Sequence, residues 1–225
     1  MIEVTHVDHM GKDLSVANAA RVSFGKKSDL DWSDPWSPPK LKEKDAKLIR
    51  YLAKHEHISP FGHCFASFHI KAPVFVARQL VKHKFLRWNE ISRRYVDSEP
   101  EPYQPTEWRE RSEDKKQGSS STTIKHLHGE GWNYDSVVNE SVLCLYQHLI
   151  HVGVCPEQAR MVLPQSMMTE WYWSGSLDAF ADMCNLRCKP DTQAETRFVA
   201  DAISEEMEKL FPVSWEALTK EKDDG

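Results

Sequence analysis

The sequence predicts a single domain over residues 1–225, of the α/β class (mixed α+β). Three observations lead to this prediction. Polar and apolar side chains alternate over residues 65–72, as in a strand with one buried face. Apolar residues recur with helical spacing over residues 42–55 and 134–152. Apolar residues also make up 40% of the chain, which is enough for a core, and a chain of this length does not require a second domain.

The elements of the first half follow from local patterns. Residues 2–7 predict a short strand, and the alanine-rich residues 13–21 predict the start of a helix. Residues 25–40 hold Gly25 and three prolines among Asp and Ser, which is typical of a loop. A turn dense in polar groups, residues 55–63, separates the helix over 42–55 from the strand over 65–72.

The second half is predicted to be mainly helical. Pro73 suits the first turn of a helix, which we expect over residues 74–86. Residues 100–131 form a polar excursion that contains prolines, a charged run and a stretch of Ser and Thr. Further helices are expected over 134–152, 157–163, 176–187 and 192–210.

Residues 78–95, called here the cationic segment, are the most informative part of the chain. Their only acid is Glu90, and they contain six cations: Arg78, Lys82, Lys84, Arg87, Arg93 and Arg94. The chain as a whole carries a net charge of −5, so this local group indicates an anion site. Gln79, Asn89 and Ser92 add neutral hydrogen-bonding groups, which a site needs to recognise its ligand. A solvated face or a nucleic-acid patch is the alternative at this point.

Composition argues against several classes of protein. The negative net charge and the lack of a basic arm or zinc-finger spacing lead us to expect no nucleic-acid partner. No apolar stretch approaches the roughly 20 residues that span a bilayer, so we expect no membrane association. The N-terminus lacks the pattern of a signal peptide, and the five cysteines form no C-x-x-C pair. A reduced, cytoplasmic protein is the expectation.

Two groups of residues raise the question of a metal. His55, His57 and His63 lie close together in the chain, but a turn of hydrogen-bonding side chains is the commoner use of such a pattern. Cys184 and Cys188 stand four apart near Asp182 and Asp191, without a usual zinc spacing. We therefore predict no metal site. A serine elbow, a Walker loop and a dinucleotide glycine motif are absent from the sequence as well.

Several spaced motifs give the chain a resemblance to a known family. One stretch resembles the R-H-R-x7-S signature of the flavin-dependent thymidylate synthases (thymidylate synthase complementing proteins): Lys82-His83-Lys84 is followed, after seven residues, by Ser92. The neighbours Asn89, Glu90, Arg94 and Tyr95 match the usual extension of that signature, N-E-x-S-x-R-Y. Other matching stretches occur in the family's order: 19–24, 57–63, 71–79, 159–164 and 185–187, followed by Gln193 and Glu195. The resemblance covers nearly the whole chain.

The resemblance implies a fold, an activity and an assembly. The fold would be the family's single mixed α/β domain, with a central sheet and flanking helices. The protein would be a homotetramer that binds FAD between subunits and methylates dUMP to dTMP. NADPH would act as reductant and methylenetetrahydrofolate as carbon donor.

Site residues carry over from the resemblance position by position. The residues implied to hold dUMP are Gln79, Lys82, Glu90, Ser92, Arg93, Arg94, Arg160 and Arg187. Those implied to contact FAD are Ser59, Lys82, His83, Lys84, Asn89 and Glu90. Arg187 would be the catalytic residue, because a fixed guanidinium at the uracil favours the ionised, nucleophilic ring. Ser92 is read as a ligand to the nucleotide and not as a nucleophile.

The chain departs from the family pattern at five positions. Lys82 and Lys84 replace arginines, which keeps the charge but loses the planar guanidinium fork. Arg87 replaces a serine, and Asp182 and Asp191 stand where asparagine and histidine are common. Two alternative functions are therefore kept: a relative that modifies carbon 5 of another pyrimidine nucleotide, for instance by hydroxymethylation, and a non-catalytic nucleotide- or nucleic-acid-binding homologue.

Overall fold

A computed structural model describes residues 1–113, 119–124 and 136–220. Its strands are β1 (Glu3–Met10), β2 (Phe65–Pro73), β3 (Leu86–Glu90), β4 (Arg109–Arg111), β5 (Ser119–Thr123) and β6 (Met168–Ser176). Its helices are α1 (Asp13–Arg21), α2 (Glu43–Lys54), α3 (Val74–Leu80), α4 (Leu143–His151), α5 (Pro156–Ala159), α6 (Leu177–Arg187), α7 (Ala194–Leu210) and α8 (Pro212–Thr219). A π-helical turn, Ser136–Val142, precedes α4, and 3-10 turns occur at Val22–Phe24, Phe61–His63 and Arg160–Val162.

The main sheet has the strand order β1-β2-β6-β3, and all of its pairings are antiparallel. The two inner strands, β2 and β6, pair over their full lengths, from Phe65 opposite Ser176 to Pro73 opposite Met168. β1 and β3 are the edges, and the register of β1 shifts between His6 and Asp8. β4 and β5 form a separate two-stranded sheet.

The core lies between one face of the main sheet and the helices. Phe68 and Ile70 of β2 are fully buried, as alternation on a strand with one buried face predicts. The ring of Phe68 meets the ring of Phe180 in α6, edge to face, with centroids 5.3 Å apart. Trp173 of β6 packs against the same ring at 5.6 Å. One core cluster joins side chains of α1, α2, α3, α6, α7 and α8 with those of β2 and β6. The single domain stays a prediction.

Buried polar groups attach the N-terminal region to this core. Asp45 is fully buried, and its carboxylate accepts hydrogen bonds from Arg21 Nε at 2.8 Å and Ser28 Oγ at 2.5 Å. Asp13 accepts hydrogen bonds from the backbone N–H groups of Val213 and Ser214, at 3.0 and 2.9 Å. These are the first N–H groups of α8, which have no partner within their own helix. A side chain at the start of α1 therefore caps the last helix of the fold.

The strand and helix predictions are largely confirmed. β1, α1, α2, β2, α6 and α7 occupy the segments predicted for them within a few residues. The loop over 25–40 is confirmed apart from a bridge between Asp31 and Lys40. Segment 134–152 is helical from Ser136, first as a π turn, while 134–135 lie outside the described residues.

Other predictions were wrong or incomplete. The helix expected over 74–86 ends at Leu80, because Phe85 adopts a left-handed backbone (φ +64°) and β3 begins at Leu86. The helix over 157–163 continues beyond Ala159 only as a 3-10 turn. β3, β6 and α8 were not predicted at all. The polar excursion holds β4 and β5, while residues 114–118 and 125–131 of it lie outside the described part.

Among the described residues, no helix is both long enough and apolar enough to cross a membrane.

Candidate functional site

The cationic segment runs from the end of α3, through a turn, along edge strand β3 and into the following loop. Five of its cations are exposed, and Arg93 is partly buried. Within the described residues, none of the six lies within 4 Å of a carboxylate oxygen, although Arg21, Arg109 and Arg197 elsewhere do form such pairs. Arg93 instead donates to the carbonyl oxygen of Ser98 at 2.7 Å. A group of cations without carboxylate partners is suited to an anionic ligand.

Arg187 and His83 meet at the centre of the candidate site, although they are 104 residues apart in the chain. Arg187 is the last residue of α6, and its Nε donates to His83 Nε2 at 3.0 Å. Its Nη2 donates to the backbone oxygen of Gln79 at 3.4 Å, at the end of α3. The folded chain thus brings the catalytic residue predicted from the sequence against the histidine of the signature.

His83 accepts this hydrogen bond through a lone pair and must therefore be neutral at Nε2. Burial, together with the charge of the nearby Arg187 guanidinium, lowers the pKa of His83 to about 4. One edge of the imidazole faces Trp173 of β6, with ring centroids 6.5 Å apart. At neutral pH the pair therefore carries one positive charge, on Arg187, and His83 orients it.

Gln79 extends the site towards the start of α7. Its Nε2 donates to Gln193 Oε1 at 2.5 Å, across 114 residues of chain. Gln193 lies on the wall of a cavity of about 480 Å³ whose lining also includes Phe75, Tyr103 and Arg109. Arg109 is held there by two hydrogen bonds to the carboxylate of the buried Glu195, at 2.8 and 2.9 Å. Gln79 is thus fixed through its side chain and does not move freely at the surface.

Glu90 ends β3 and is fixed by the strand beside it. Its carboxylate accepts hydrogen bonds from Thr169 Oγ1 at 2.7 Å and from Trp88 Nε1 at 3.1 Å. Trp88 in turn stacks on Trp171 of β6, with centroids 4.5 Å apart. Tryptophan rings therefore anchor the edge strand to the core, and the carboxylate of Glu90 is held in one orientation.

The remaining predicted site residues are placed but not joined into one cluster. Ser92 accepts hydrogen bonds from the backbone N–H and the Nε of Arg94, each at 3.4 Å. Lys82, Lys84, Asn89 and Ser59 are exposed. Arg160 is also exposed, and its Nε donates to the backbone oxygen of Glu157 at 3.2 Å. In the described part of a single chain, no hydrogen bond or ion pair joins Lys82, Ser92 or Arg160 to Arg187.

Sequence reasoning assigned no role to three residues that shape the site. Gln193 was noted only as part of a motif, and its contact with Gln79 crosses the fold. Thr169 and Trp88, which fix Glu90, gave no signal because a single threonine or tryptophan is compatible with many environments. The unpredicted strand β6 supplies Thr169, so missing the strand meant missing the contact.

The residues considered for a metal are used otherwise. His55 and His57 lie against the ring of Tyr51, with centroids 4.2 and 6.3 Å from it. Cys184 points into the core and approaches the backbone oxygen of Ala200. Over residues 1–113, 119–124 and 136–220, no three His, Cys, Asp or Glu side chains are grouped as metal ligands.

Comparison with known proteins places this arrangement in a family. The profile of the thymidylate synthase complementing proteins matches residues 5–213. The chain belongs to this family. It is 37% identical to a flavin-dependent thymidylate synthase of Thermus thermophilus, over 94% of this chain and 73% of that protein. It is 38% identical to the one of Kosmotoga olearia, over 94% of this chain and 87% of that protein.

Solved structures agree with the family in fold. A crystal structure of the UMP/dUMP methylase PolB from Streptomyces cacaoi, bound with 5-Br dUMP, superposes with a TM-score of 0.77 and 30% identity. That match covers 97% of this chain and 95% of the other. A second structure of PolB, bound with 5-Br UMP, gives the same TM-score at 28% identity. The expected mixed α/β fold is therefore confirmed, and the chain is an enzyme of the flavin-dependent thymidylate synthase family.

Proposed function

We propose that this enzyme converts dUMP to dTMP, with FAD as cofactor, methylenetetrahydrofolate as carbon donor and NADPH as reductant. One observation carries the proposal: Arg187 lies against His83 of the signature and the backbone of Gln79, in a region rich in cations that meet no carboxylate among the described residues. The family's names and the ligands of its solved relative support the same chemistry. Under the proposal, six of the residues implied to hold dUMP lie within the cationic segment or next to it.

Arg187 would act on the pyrimidine ring. Carbon 5 of uracil is a weak nucleophile until negative charge on the ring is stabilised. A guanidinium held by His83 and by the carbonyl of Gln79 keeps its position without losing its charge, since arginine does not deprotonate in proteins. Each tenfold in rate needs about 1.4 kcal/mol, so a fixed cation at the ring is able to supply a hundredfold.

The phosphate and ribose of dUMP would be held by neighbouring groups. Ser92 and Arg94 offer a hydroxyl and a guanidinium within one short loop, and Glu90 offers a carboxylate already fixed by Thr169. We assign Gln79, Lys82, Arg93 and Arg160 to the same ligand. No hydrogen bond or ion pair joins Arg160 to Arg187 in the described part of one chain, so we assign its role to the neighbouring subunit of the proposed homotetramer.

The residues assigned to FAD, two of which are shared with dUMP, have side chains suited to this cofactor. Lys82 and Lys84 are exposed cations that meet no carboxylate in the described residues, which suits a diphosphate. We propose that they hold the cofactor together with Ser59, His83, Asn89 and Glu90. Bound FAD would supply the redox chemistry, leaving the protein to position and polarise the substrate.

The first test is the purified protein itself. We expect a yellow protein, and FAD in stoichiometric amount when the cofactor is extracted and identified. Incubation with [5-³H]dUMP, methylenetetrahydrofolate and NADPH should release tritium, and chromatography should identify dTMP. A colourless protein that takes up no FAD would remove the enzyme assignment made here, in favour of a nucleotide-binding homologue.

A second substrate deserves a parallel assay, because the solved relative is described as a UMP/dUMP methylase. We propose UMP as the alternative nucleotide of this enzyme. Tritium release from [5-³H]UMP at a rate comparable to dUMP would establish it. A product other than the 5-methyl nucleotide, such as the hydroxymethyl compound, would establish different one-carbon chemistry at the same carbon.

A further inference from the structure

The two halves of the site meet at Gly175, a buried residue near the end of β6. It pairs directly with Leu86, the first residue of β3. β6 ends at Ser176, and α6, the helix that ends in Arg187, begins at the next residue. On the other strand, Leu86 follows the turn that carries His83. Gly175 therefore lies two residues before the helix that ends in Arg187, and it pairs with a residue that follows the turn bearing His83.

A side chain at position 175 would be crowded by its neighbours on β3. A Cβ added at Gly175 would overlap the Cδ2 methyl of Leu86 and lie 3.1 Å from the backbone oxygen of Phe85. Space is the reason for glycine here, since Gly175 is not among the glycines that adopt a positive φ. A Cβ would displace the Leu86 methyl group, which ends a flexible side chain, and would require the backbone at Phe85 to move from β6 by a few tenths of an ångström.

The turn itself is tightly constrained. Phe85 adopts φ +64°, which is an unusual conformation for a bulky residue, and its side chain is 82% exposed. Burial of the ring therefore does not compensate for the backbone strain. The N–H of His83 donates to the oxygen of Leu80 at 3.1 Å, which ties the other end of the turn to α3. The turn is thus fixed by α3 on one side and by the contact at Gly175 on the other.

From this geometry we propose that Gly175 is a positioning residue. Its missing side chain lets the turn approach β6, and this approach places His83 within hydrogen-bonding distance of Arg187. The inference rests on the proposed function only for its effect on turnover. The placement of His83 is a property of the protein without substrate.

The deciding experiment is Gly175→Ala, with an NMR titration of His83 in protein labelled with ¹³C-histidine. His83→Gln identifies the resonance. We expect the pKa of His83 to rise from about 4 towards its ordinary value of 6.5, because the imidazole moves away from Arg187 and becomes more exposed. The kcat for tritium release should fall at least tenfold. An unchanged His83 titration in a folded Gly175→Ala protein would overturn the proposal, whether or not the enzyme makes dTMP.

Rescue and controls separate positioning from simple destabilisation. Adding Leu86→Ala to Gly175→Ala removes the methyl group that overlaps the new Cβ. The pKa of His83 and the kcat should then return most of the way to their wild-type values. Ser28→Ala weakens a buried hydrogen bond elsewhere and should lower stability without moving the His83 titration. If Gly175→Ala does not fold, Leu86→Phe crowds the same contact from β3, and an unchanged His83 pKa there contradicts the proposal equally well.

Discussion

Arg21 and the arginines of the cationic segment are used in opposite ways. Arg21 donates to Asp45 through both Nε and Nη2, at 2.8 and 2.5 Å, and Asp45 is fully buried. In the cationic segment, no cation meets a carboxylate among the described residues. An arginine paired with a buried acid is committed to the fold, because each charge compensates for the burial of the other. Cations that have no such carboxylate partner remain able to bind an anionic ligand. The two groups of arginines therefore serve different purposes: Arg21 stabilises the fold, and the cationic segment is available for binding.

The largest effect is expected on turnover, when Arg187 is removed. Arg187→Ala should lower kcat for tritium release from dUMP at least a hundredfold, or about 2.7 kcal/mol, because the cation at the pyrimidine is lost. Thermal stability should change little, since within the described residues Arg187 bonds only to His83 and to the carbonyl of Gln79. Arg50→Ala, at a half-exposed arginine, is the matched control. Turnover at the wild-type rate would contradict the polarising role.

Loss of the buried Arg21–Asp45 pair should lower the stability of the fold. Asp45→Ala leaves Arg21 and Ser28 without their buried acceptor and should lower the free energy of unfolding by about 2 kcal/mol. We expect less than the about 3–5 kcal/mol typical of a broken buried pair, because Arg21 is partly exposed. Urea denaturation measures the change. The control is Asp34→Ala, at an exposed loop residue, and equal losses in both variants would refute the distinction.

Cofactor retention should show an intermediate effect. Lys84→Ala should weaken FAD binding about tenfold, which corresponds to about 1.4 kcal/mol, because one exposed cation without a carboxylate partner is removed. Equilibrium dialysis against free FAD gives the dissociation constant. Lys47→Ala removes an exposed lysine of α2 and should leave FAD binding unchanged. Equal affinity in both variants takes Lys84 off the list of cofactor residues.

The last prediction concerns the loss of stability in acid. His83 has a pKa near 4 in the folded protein and about 6.5 when unfolded, so the unfolded chain binds more protons between these values. Stability should therefore fall as the pH is lowered from about 6.5 to 4, and His83 should cause no further loss below that. Comparison of unfolding free energies at several pH values tests this. His83→Gln should flatten the slope, whereas His151→Gln, at an exposed histidine of α4, should not.

The sequence predicted the fold class and most elements, because their signals are local. Alternation over 65–72 and helical spacing over 42–55 depend on neighbouring residues alone. β6 was missed although it is an inner strand, because it is buried by partners about 80 and 105 residues away in the chain. The helix after Pro73 was predicted too long, because a left-handed phenylalanine at position 85 has no counterpart in residue preferences.

The candidate site was also predicted in part, for the same reason. Its residue types could be named from a motif with characteristic spacing, and the family assignment that followed is confirmed. The hydrogen bond from Arg187 to His83 could not be predicted from the sequence, because it depends on how β6 and α6 cross the end of α3. The individual roles for dUMP and FAD, and the homotetramer that would bring Arg160 to the site, stay predictions.

The absence of a loop between β6 and α6 limits how this enzyme can adapt. The first turn of α6 follows the inner strand directly, and Arg187 lies at the opposite end of the same helix. Under the proposed function, a shift of this helix to admit a bulkier base would have to move β6 as well. Under that proposal, changes in preference would be expected at exposed positions of β3 such as Arg87, and not at Trp88, whose ring packs on Trp171.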